Sequence, residues 1–186
     1  IQKFIKAADA FDVAAEVITR DDYARLGEFD ALFIRQTTAV NHFTFRFASR
    51  AEAEGLVVID DSRSILRCTN KVYLAELLER HDILSPKTII VHRDNLDSVG
   101  AELGFPIILK QPDSAFSLGV KKVKTREEFD AQVDELFVKT ELLVAQEFLQ
   151  TDFDWRIGVL DRKPIYACKY FMARKHWQII ANAADG

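Results

Sequence analysis

The sequence predicts an α/β domain over residues 1–84 and an α+β domain over residues 85–186. In the first part, short apolar runs alternate with helical patterns, which is typical of a small parallel sheet covered by helices. In the second part, strands and helices are mixed and are followed by a hairpin pattern. Because the order changes just before Pro86, we expect a domain boundary near residue 84.

The first domain is expected to consist of three helices and three strands. Gly55 follows the second helix and is a common stop signal. The alternation from His42 to Phe47 also fits a strand, so this helix has an alternative. In chain order, the helices are predicted over 1–10, 41–54 and 69–83, and the strands over 13–19, 30–34 and 56–60.

The second domain is expected to contain two helices and six strands. Thr125 and Glu128 have the spacing of a capping box and predict where the second helix begins. Its apolar stripe predicts a face packed on the core; the stripe is Phe129, Val133, Leu136 and Phe137. The other helix is predicted over 94–103, and the strands over 87–92, 106–111, 120–124, 142–149, 154–160 and 165–172.

Composition limits the classes of function. Hydrophobic residues make up 48% of the chain and charged residues 29%, with a net charge of −4, so nothing suggests a nucleic-acid or membrane partner. The sequence contains no apolar run of about 18 residues. Cys68 and Cys168 lie far apart, which fits a reducing, cytoplasmic setting. The histidines lack the spacing of metal ligands.

Two lysines break local rules. Lys110 ends an apolar strand on the face of Ile108, where a cation is costly to bury without an anion or a water-lined cleft. Lys71 lies in the first turn of its helix, where the macrodipole disfavours a cation unless an anion is also present. A snorkelling lysine and an exposed lysine explain the same positions without a ligand.

A segment rich in small residues joins two predicted strands over 113–119. Its hydroxyl and backbone N–H groups, including those of Ser114, Ser117 and Gly119, could wrap phosphates as backbone nests do. An ordinary hairpin loop is the alternative. The segment lacks the Walker pattern G-x-x-x-x-G-K-[ST].

Charged residues follow the strand that ends near Glu147. Asp154 and Arg156 share a face of the next predicted strand with Gly158. They either pair with each other or face a sugar hydroxyl and a phosphate, and the sequence leaves both interpretations open.

Six short motifs stand in a fixed order along the chain. They are Asn70-Lys71, Ser85-Pro86-Lys87-Thr88, Pro106-Ile107-Ile108-Leu109-Lys110, Ser117-Leu118-Gly119-Val120, Gln146-Glu147-Phe148-Leu149 and Asp154-Trp155-Arg156. Together they resemble the ATP-grasp superfamily, most closely its RimK-like branch of glutamate ligases and glutathione synthetase-like enzymes. The resemblance covers residues 60 to about 172, and the first 60 residues resemble the domain that precedes ATP-grasp folds.

The resemblance implies a Rossmann-like pre-ATP-grasp domain followed by an incomplete ATP-grasp domain. It implies an ATP-dependent carboxylate–amine ligase that acts through an acyl phosphate, with ATP and Mg²⁺ as cofactors. By this resemblance, the cofactor-binding residues are Lys71, Lys110, Ser114, Ser117, Gly119, Glu147, Phe148 and Asp154. The lysines would bind phosphates under the loop 113–119, Glu147 and Phe148 would meet adenine through backbone groups, and Asp154 would lie by the ribose.

Two departures from the family pattern affect the catalytic residues. The family arginine after the hairpin is absent, because that place reads Trp177-Gln178-Ile179-Ile180. The candidate catalytic cations are Arg156, Lys169 and Arg174, with Lys175 as a further source of charge. The family's magnesium ligands would lie beyond Gly186, and the chain opens at Ile1 without a Met or a first strand, so we expect a chain truncated at both ends.

Two other functions stay open beside the ligase. One is a non-catalytic nucleotide-binding module of the same fold, favoured by the single glycine of the loop. The other is an α/β scaffold without a nucleotide. For the ligase, the resemblance implies a small-molecule or peptide carboxylate and an amine as partners; neither a nucleic acid nor a membrane is expected, and a homo-oligomer is left open.

Overall fold

The computed structural model describes residues 1–114, 119–174 and 176–179. The chain divides into two compact units, Ile1–Asp82 and Ile83–Gly186. Each unit has a hydrophobic core made of its own residues. In the described ranges, the helices are too short or too polar to cross a membrane.

The first unit is an α/β structure with a small parallel sheet, as predicted. Its two strands pair with Leu32 opposite Val58, and Leu26, Phe47 and Ala51 complete the buried core around Leu32. In chain order, the elements are α1 (Gln2–Asp9), a 3-10 helix (Arg20–Glu28), β1 (Ala31–Phe33), α2 (Phe43–Ala53), β2 (Val57–Ile59), α3 (Ser62–Thr69) and α4 (Lys71–Arg80).

The strand predicted over 13–19 is wrong. This segment is irregular, and its apolar residues Val13 and Val17 are exposed rather than packed. Instead, Glu16 pairs with Arg25 of the 3-10 helix at 2.8 Å. Thr19 caps the same helix by accepting a hydrogen bond from the Asp21 N–H at 3.3 Å. The segment therefore stabilises the 3-10 helix through these contacts, and the apolar pattern did not predict that helix.

The helix predicted over 69–83 is α4, and the preceding helix α3 was not predicted. Asn70 ends α3 with an extended backbone and caps α4, where its side chain accepts from the Tyr73 N–H at 3.0 Å. At the start of α3, Asp61 accepts from the Ser64 N–H at 2.9 Å. Because caps fix where helices begin, Asn70 separates α3 from α4.

The second unit is a four-stranded antiparallel sheet with helices on one face and a separate hairpin. The sheet order is β3-β6-β4-β5, and β7 and β8 form the hairpin. All four residues of the predicted stripe of α6 lie in the core. The elements are β3 (Thr88–Val91), α5 (Leu96–Leu103), β4 (Ile107–Lys110), β5 (Val120–Val123), α6 (Arg126–Leu136), β6 (Leu143–Glu147), β7 (Phe153–Leu160) and β8 (Lys163–Phe171).

Candidate functional site

The four-stranded sheet has two different faces. Side chains alternate along each strand, and one set packs with α5 and α6 in the core, including Leu109, Leu143 and Val91. The other set defines what we call the site face. Its first row across the strands is Thr88, Gln146, Ile108 and Lys122, and its second row is Ile90, Val144, Lys110 and Val120.

Lys110 is held on the site face by a chain of hydrogen bonds. Its Nζ donates to Gln146 Oε1 at 2.6 Å. Gln146 Nε2 donates to Thr88 Oγ1 at 2.8 Å, and the Thr88 hydroxyl donates to the Pro86 carbonyl at 2.7 Å. The ammonium is half-buried, and its direction is set by polar groups from two neighbouring strands.

Hydrogen bonds hold both ends of the loop between β4 and β5, next to Lys110. The Gln111 N–H donates to the Gly119 carbonyl at 3.3 Å, and the Ser114 hydroxyl donates to the Gln111 carbonyl at 3.1 Å. Gly119 has a φ of +70°, a conformation that favours glycine. Ser117, the other predicted loop residue, lies in 115–118, outside the described residues.

The end of β6 is fixed to the segment before β3. The Lys87 N–H donates to Glu147 Oε1 at 2.7 Å, and the Glu147 N–H donates to the Lys87 carbonyl at 2.9 Å. The Glu147 carboxylate is thus used within the fold. The next residue, Phe148, has its side chain in a cavity.

This cavity has a volume of about 530 Å³ and is formed by β5, the end of β6 and the chain on both sides of the hairpin. It combines aromatic and basic groups with one carboxylate. Its lining residues are Lys122, Phe148, Gln150, Thr151, Asp152, Met172, Ala173, Arg174, His176 and Trp177. Such a mixed lining suits a flat, polar ligand that carries negative charge.

A partly buried cation lies on the cavity wall. Lys122 Nζ is 3.3 Å from the centre of the Phe148 ring and 5.9 Å from that of Trp177. Burial lowers the pKa of the Lys122 ammonium, and the nearby charge of Lys124 lowers it further. Attraction to the rings offsets part of the cost of this burial.

The structure separates the three predicted catalytic cations. Arg174 lines the cavity. In the hairpin, Arg156 is opposite Cys168 and shares its face with Asp154, whereas Lys169 is opposite Trp155 and lies on the other face. The Arg156 guanidinium lies 5.3 Å from the Tyr170 ring centre, and Lys169 Nζ lies 4.2 Å from that of Phe153.

Lys71 belongs to the first unit, at the start of α4, and Lys110 to the second. The convergence of the two lysines on one anion stays a prediction. Asp154 lies at the start of β7, where its carboxylate accepts from the Thr151 hydroxyl at 3.5 Å, and its place by a ribose also stays a prediction.

Of the lining residues, sequence reasoning singled out only Phe148 and Arg174, and it missed the charged and aromatic groups Lys122, Asp152 and Trp177. Lys122 had no local signal, because only the register of β4 with β5 places it opposite Ile108. Trp177 meets Phe148 with ring centres 6.1 Å apart, a tertiary contact without a local signal. Within 1–114, 119–174 and 176–179, there is no group of three or more acidic, His or Cys residues that could hold a metal ion.

The second unit combines an antiparallel sheet with two different faces, and a lysine and a loop closed by a glycine lie on one of them. This arrangement is found in solved structures of one class of protein. A RimK-domain ATP-grasp protein from Sphaerobacter thermophilus matches with a TM-score of 0.66 and 17% identity, over 84% of this chain and 60% of that chain. A D-alanine–D-alanine ligase from Bacillus anthracis, complexed with ATP, matches with a TM-score of 0.60 and 16% identity, over 87% of this chain and 60% of that chain. The fold is therefore that of the ATP-grasp proteins.

The family follows from the sequence itself. The family model described as D-ala D-ala ligase C-terminus matches residues 78–180, which is more than half of the chain. The chain belongs to this family, and the resemblance to the RimK-like branch of the ATP-grasp superfamily is confirmed.

Individual relatives agree with this assignment. The α-aminoadipate–LysW ligase LysX of Sulfolobus acidocaldarius is 25% identical over 93% of this chain and 66% of its own length. A D-alanine–D-alanine ligase of Acinetobacter baumannii is 30% identical over 52% of this chain and 31% of its own length. The chain thus spans less than two thirds of either relative.

Proposed function

We propose that this chain forms the nucleotide-binding part of an ATP-dependent carboxylate–amine ligase that acts through an acyl phosphate. The observation that carries the proposal is the Lys110 ammonium, held at the end of β4 on the site face beside a loop closed by Gly119. Phosphoryl transfer depends mainly on cations and N–H donors positioned around the phosphates, and this corner of the sheet supplies both.

In this proposal, the cavity beside Phe148 binds the adenine base. It joins the site face through Lys122, and its aromatic walls and backbone groups suit a flat ring. Asp152 and Arg174 add charges of opposite sign at its edge. In this proposal the adenine lies in the cavity, and the phosphates extend toward Lys110.

The reaction consists of two transfers. A substrate carboxylate oxygen attacks the γ-phosphorus, which gives an acyl phosphate and ADP. An amine then attacks the acyl carbon, loses a proton and expels inorganic phosphate, which leaves an amide. Lys110 and the loop donors stabilise charge on the phosphate oxygens during the first transfer.

Magnesium would neutralise phosphate charge when bound. The described residues hold no ligand set for it, so the proposal assigns no magnesium ligand among them. The substrates are an amino-acid or peptide carboxylate and an amine, as the names of the relatives suggest, and the cell compartment is the cytoplasm.

Calorimetric titration with a non-hydrolysable ATP analogue and Mg²⁺ tests the nucleotide site. The wild-type chain is expected to bind, and Lys110→Ala to bind about tenfold or more weakly, because a charge-assisted contact to phosphate is lost. Lys121→Ala is the matched control, since Lys121 follows the same loop on the opposite face of β5. Absent binding by wild type, or equal binding by Lys110→Ala, would contradict the proposal.

An assay of ADP release distinguishes the ligase from a nucleotide-binding module. Release of ADP from ATP that depends on both a carboxylate and an amine supports the ligase. Tight analogue binding by the intact protein, without such release for any amino-acid pair, would favour the module.

A further inference from the structure

The motif Pro86-Lys87-Thr88 has no role in the proposed function, although it contacts the site face directly. We propose that Thr88 is a positioning residue, which fixes the Gln146 amide and, through it, the direction of the Lys110 ammonium toward the phosphates. The inference rests on the proposed function, because it requires a nucleotide at Lys110.

The ends of the hydrogen-bond chain determine its polarity. A lysine ammonium can only donate, so Gln146 must turn its amide oxygen toward Lys110, at 2.6 Å. The Thr88 hydroxyl gives its hydrogen to the Pro86 carbonyl at 2.7 Å, so it must accept from Gln146 Nε2, at 2.8 Å. Each group in the chain therefore has a single orientation.

The strand register keeps these groups at a fixed spacing. Thr88 lies directly opposite Gln146 in the β3–β6 pair. Gln146 lies opposite Ile108 in the β4–β6 pair, and Lys110 follows Ile108 on the same face. A rotation of the Gln146 amide would leave its NH₂ group facing the Lys110 ammonium, two donors without an acceptor between them.

The backbone around Thr88 is held by contacts that do not need its hydroxyl. Lys87 exchanges two hydrogen bonds with Glu147, at 2.7 and 2.9 Å, and Lys87 Nζ donates to the Glu102 carbonyl at 2.8 Å. Loss of the hydroxyl should therefore release the Gln146 amide and leave the strand in place.

The test compares Thr88→Val with Thr88→Ser in the full chain, by calorimetry with the same ATP analogue and Mg²⁺. Valine keeps the shape and removes the hydroxyl, so the dissociation constant should rise about fivefold. Serine restores the hydroxyl and should bind within about twofold of wild type. Thr140→Val is the matched control, because the Thr140 hydroxyl donates to the Leu142 carbonyl at 3.0 Å, away from the site face.

A double variant separates positioning from general support of the sheet. In Gln146→Met the link to Lys110 is already broken, so adding Thr88→Val should change analogue affinity by less than about twofold. The same fivefold loss in both backgrounds would show that Thr88 acts without Gln146 and would overturn the inference. If Thr88→Val does not fold, Gln146→Met still tests the inference. It should weaken binding by about fivefold or more, and binding equal to wild type would overturn the inference.

The failures of the two proposals are distinguishable. If the wild-type chain does not bind the analogue, the proposed function fails and this inference fails with it. If wild type binds and Thr88→Val binds equally well, the inference alone is wrong.

Discussion

Lys122 illustrates how one residue can serve both the fold and a ligand. Its ammonium lies 3.3 Å from the centre of the Phe148 ring, so a base that stacks on this face of Phe148 must displace it or take a hydrogen bond from it. The acceptor nitrogens of a purine suit such a donor. The lysine therefore belongs to the proposed base-binding part of the site.

Lys122→Met is expected to weaken binding of the ATP analogue by about three- to tenfold, because methionine fills the same space without the charge. Calorimetry measures the change. Lys121→Met, on the opposite face of the same strand, should bind like wild type. Equal affinities for the two variants would exclude a role for Lys122 in nucleotide binding.

The difference between Lys110 and Lys122 shows what the sequence could predict at single positions. Lys110 ends the apolar run Ile107-Ile108-Leu109, so alternation alone predicted the face on which it lies. Lys122 stands in the run Lys121-Lys122, where two adjacent lysines have the same chemistry and only the strand register decides which of them reaches the cavity. Trp177 needed the tertiary fold, because it meets Phe148 from beyond the hairpin.

Among the elements, the 3-10 helix depends on one arginine. Arg25 contacts Glu16 at 2.8 Å, Glu28 at 3.1 Å and Asp22 at 3.3 Å. The hydrogen bond from Arg25 holds the pKa of Glu16 below its usual value. For Asp22, hydrogen bonds from the Thr19 backbone and hydroxyl lower the pKa first, and Arg25 adds to them.

Arg25→Met should lower the thermal unfolding midpoint at pH 7 and have little effect in strong acid. Carboxyl groups with lowered pKa values stabilise the fold above their unfolded pKa of about 4, and this stabilisation is lost as the pH falls through the folded values. Circular dichroism melts between pH 2 and pH 7 measure the difference. Arg20→Met is the control, because Arg20 is exposed and lies 3.8 Å from Asp21; a difference that persists unchanged in acid would contradict the ionic explanation.

Gly119 ends the loop after β4, and Gly104, which follows α5, offers a matched glycine outside that loop. Gly119 and Gly104 both have a φ of +70°, so alanine should cost about 1–2 kcal/mol of stability at either position. A Cβ at Gly119 would also lie 2.5 Å from Gln111 Oε1, whereas one at Gly104 meets nothing within 4 Å.

Gly119→Ala is therefore expected to weaken analogue binding about fivefold or more, while Gly104→Ala leaves it within about twofold at similar stability. Unfolding midpoints and calorimetry are measured on both variants. Parallel losses of affinity in the two would indicate that general destabilisation, not the loop, is responsible.

Elements were predictable where a pattern was local and strong. The stripe of α6 recurs at the helical period, and short apolar runs mark β3, β4 and β6 of the four-stranded sheet. The segment 13–19 has strand-like residues, but Glu16 and Thr19 serve the neighbouring helix. Helix α3 has one buried residue, Ile65, so its apolar signal was too weak, and its capping residue Asp61 was the better sign.

At the scale of the whole molecule, the chain has two separate cores. Leu26 is fully buried in the core of the first unit, and Leu109 is fully buried in that of the second. Replacing either with alanine removes packed methyl groups and should cost roughly 2–5 kcal/mol.

Hydrogen exchange read by mass spectrometry should localise each loss. Leu26→Ala is expected to reduce amide protection mainly in residues 1–82, and Leu109→Ala mainly in residues 83–186. Equal loss of protection across the whole chain in both variants would mean that the two cores unfold as one cooperative body.

The register of the four-stranded sheet has a consequence for how this protein can change. In all four strands, the residues with odd numbers point to the helices and those with even numbers to the site face, since each antiparallel pair joins odd with odd and even with even. Selection on stability and selection on ligand preference therefore act largely on interleaved sets of positions, with the buried residues Ile108 and Val144 of the site face subject to both. A lineage could alter what the sheet recognises at every second residue while the alternate residues preserve its interior.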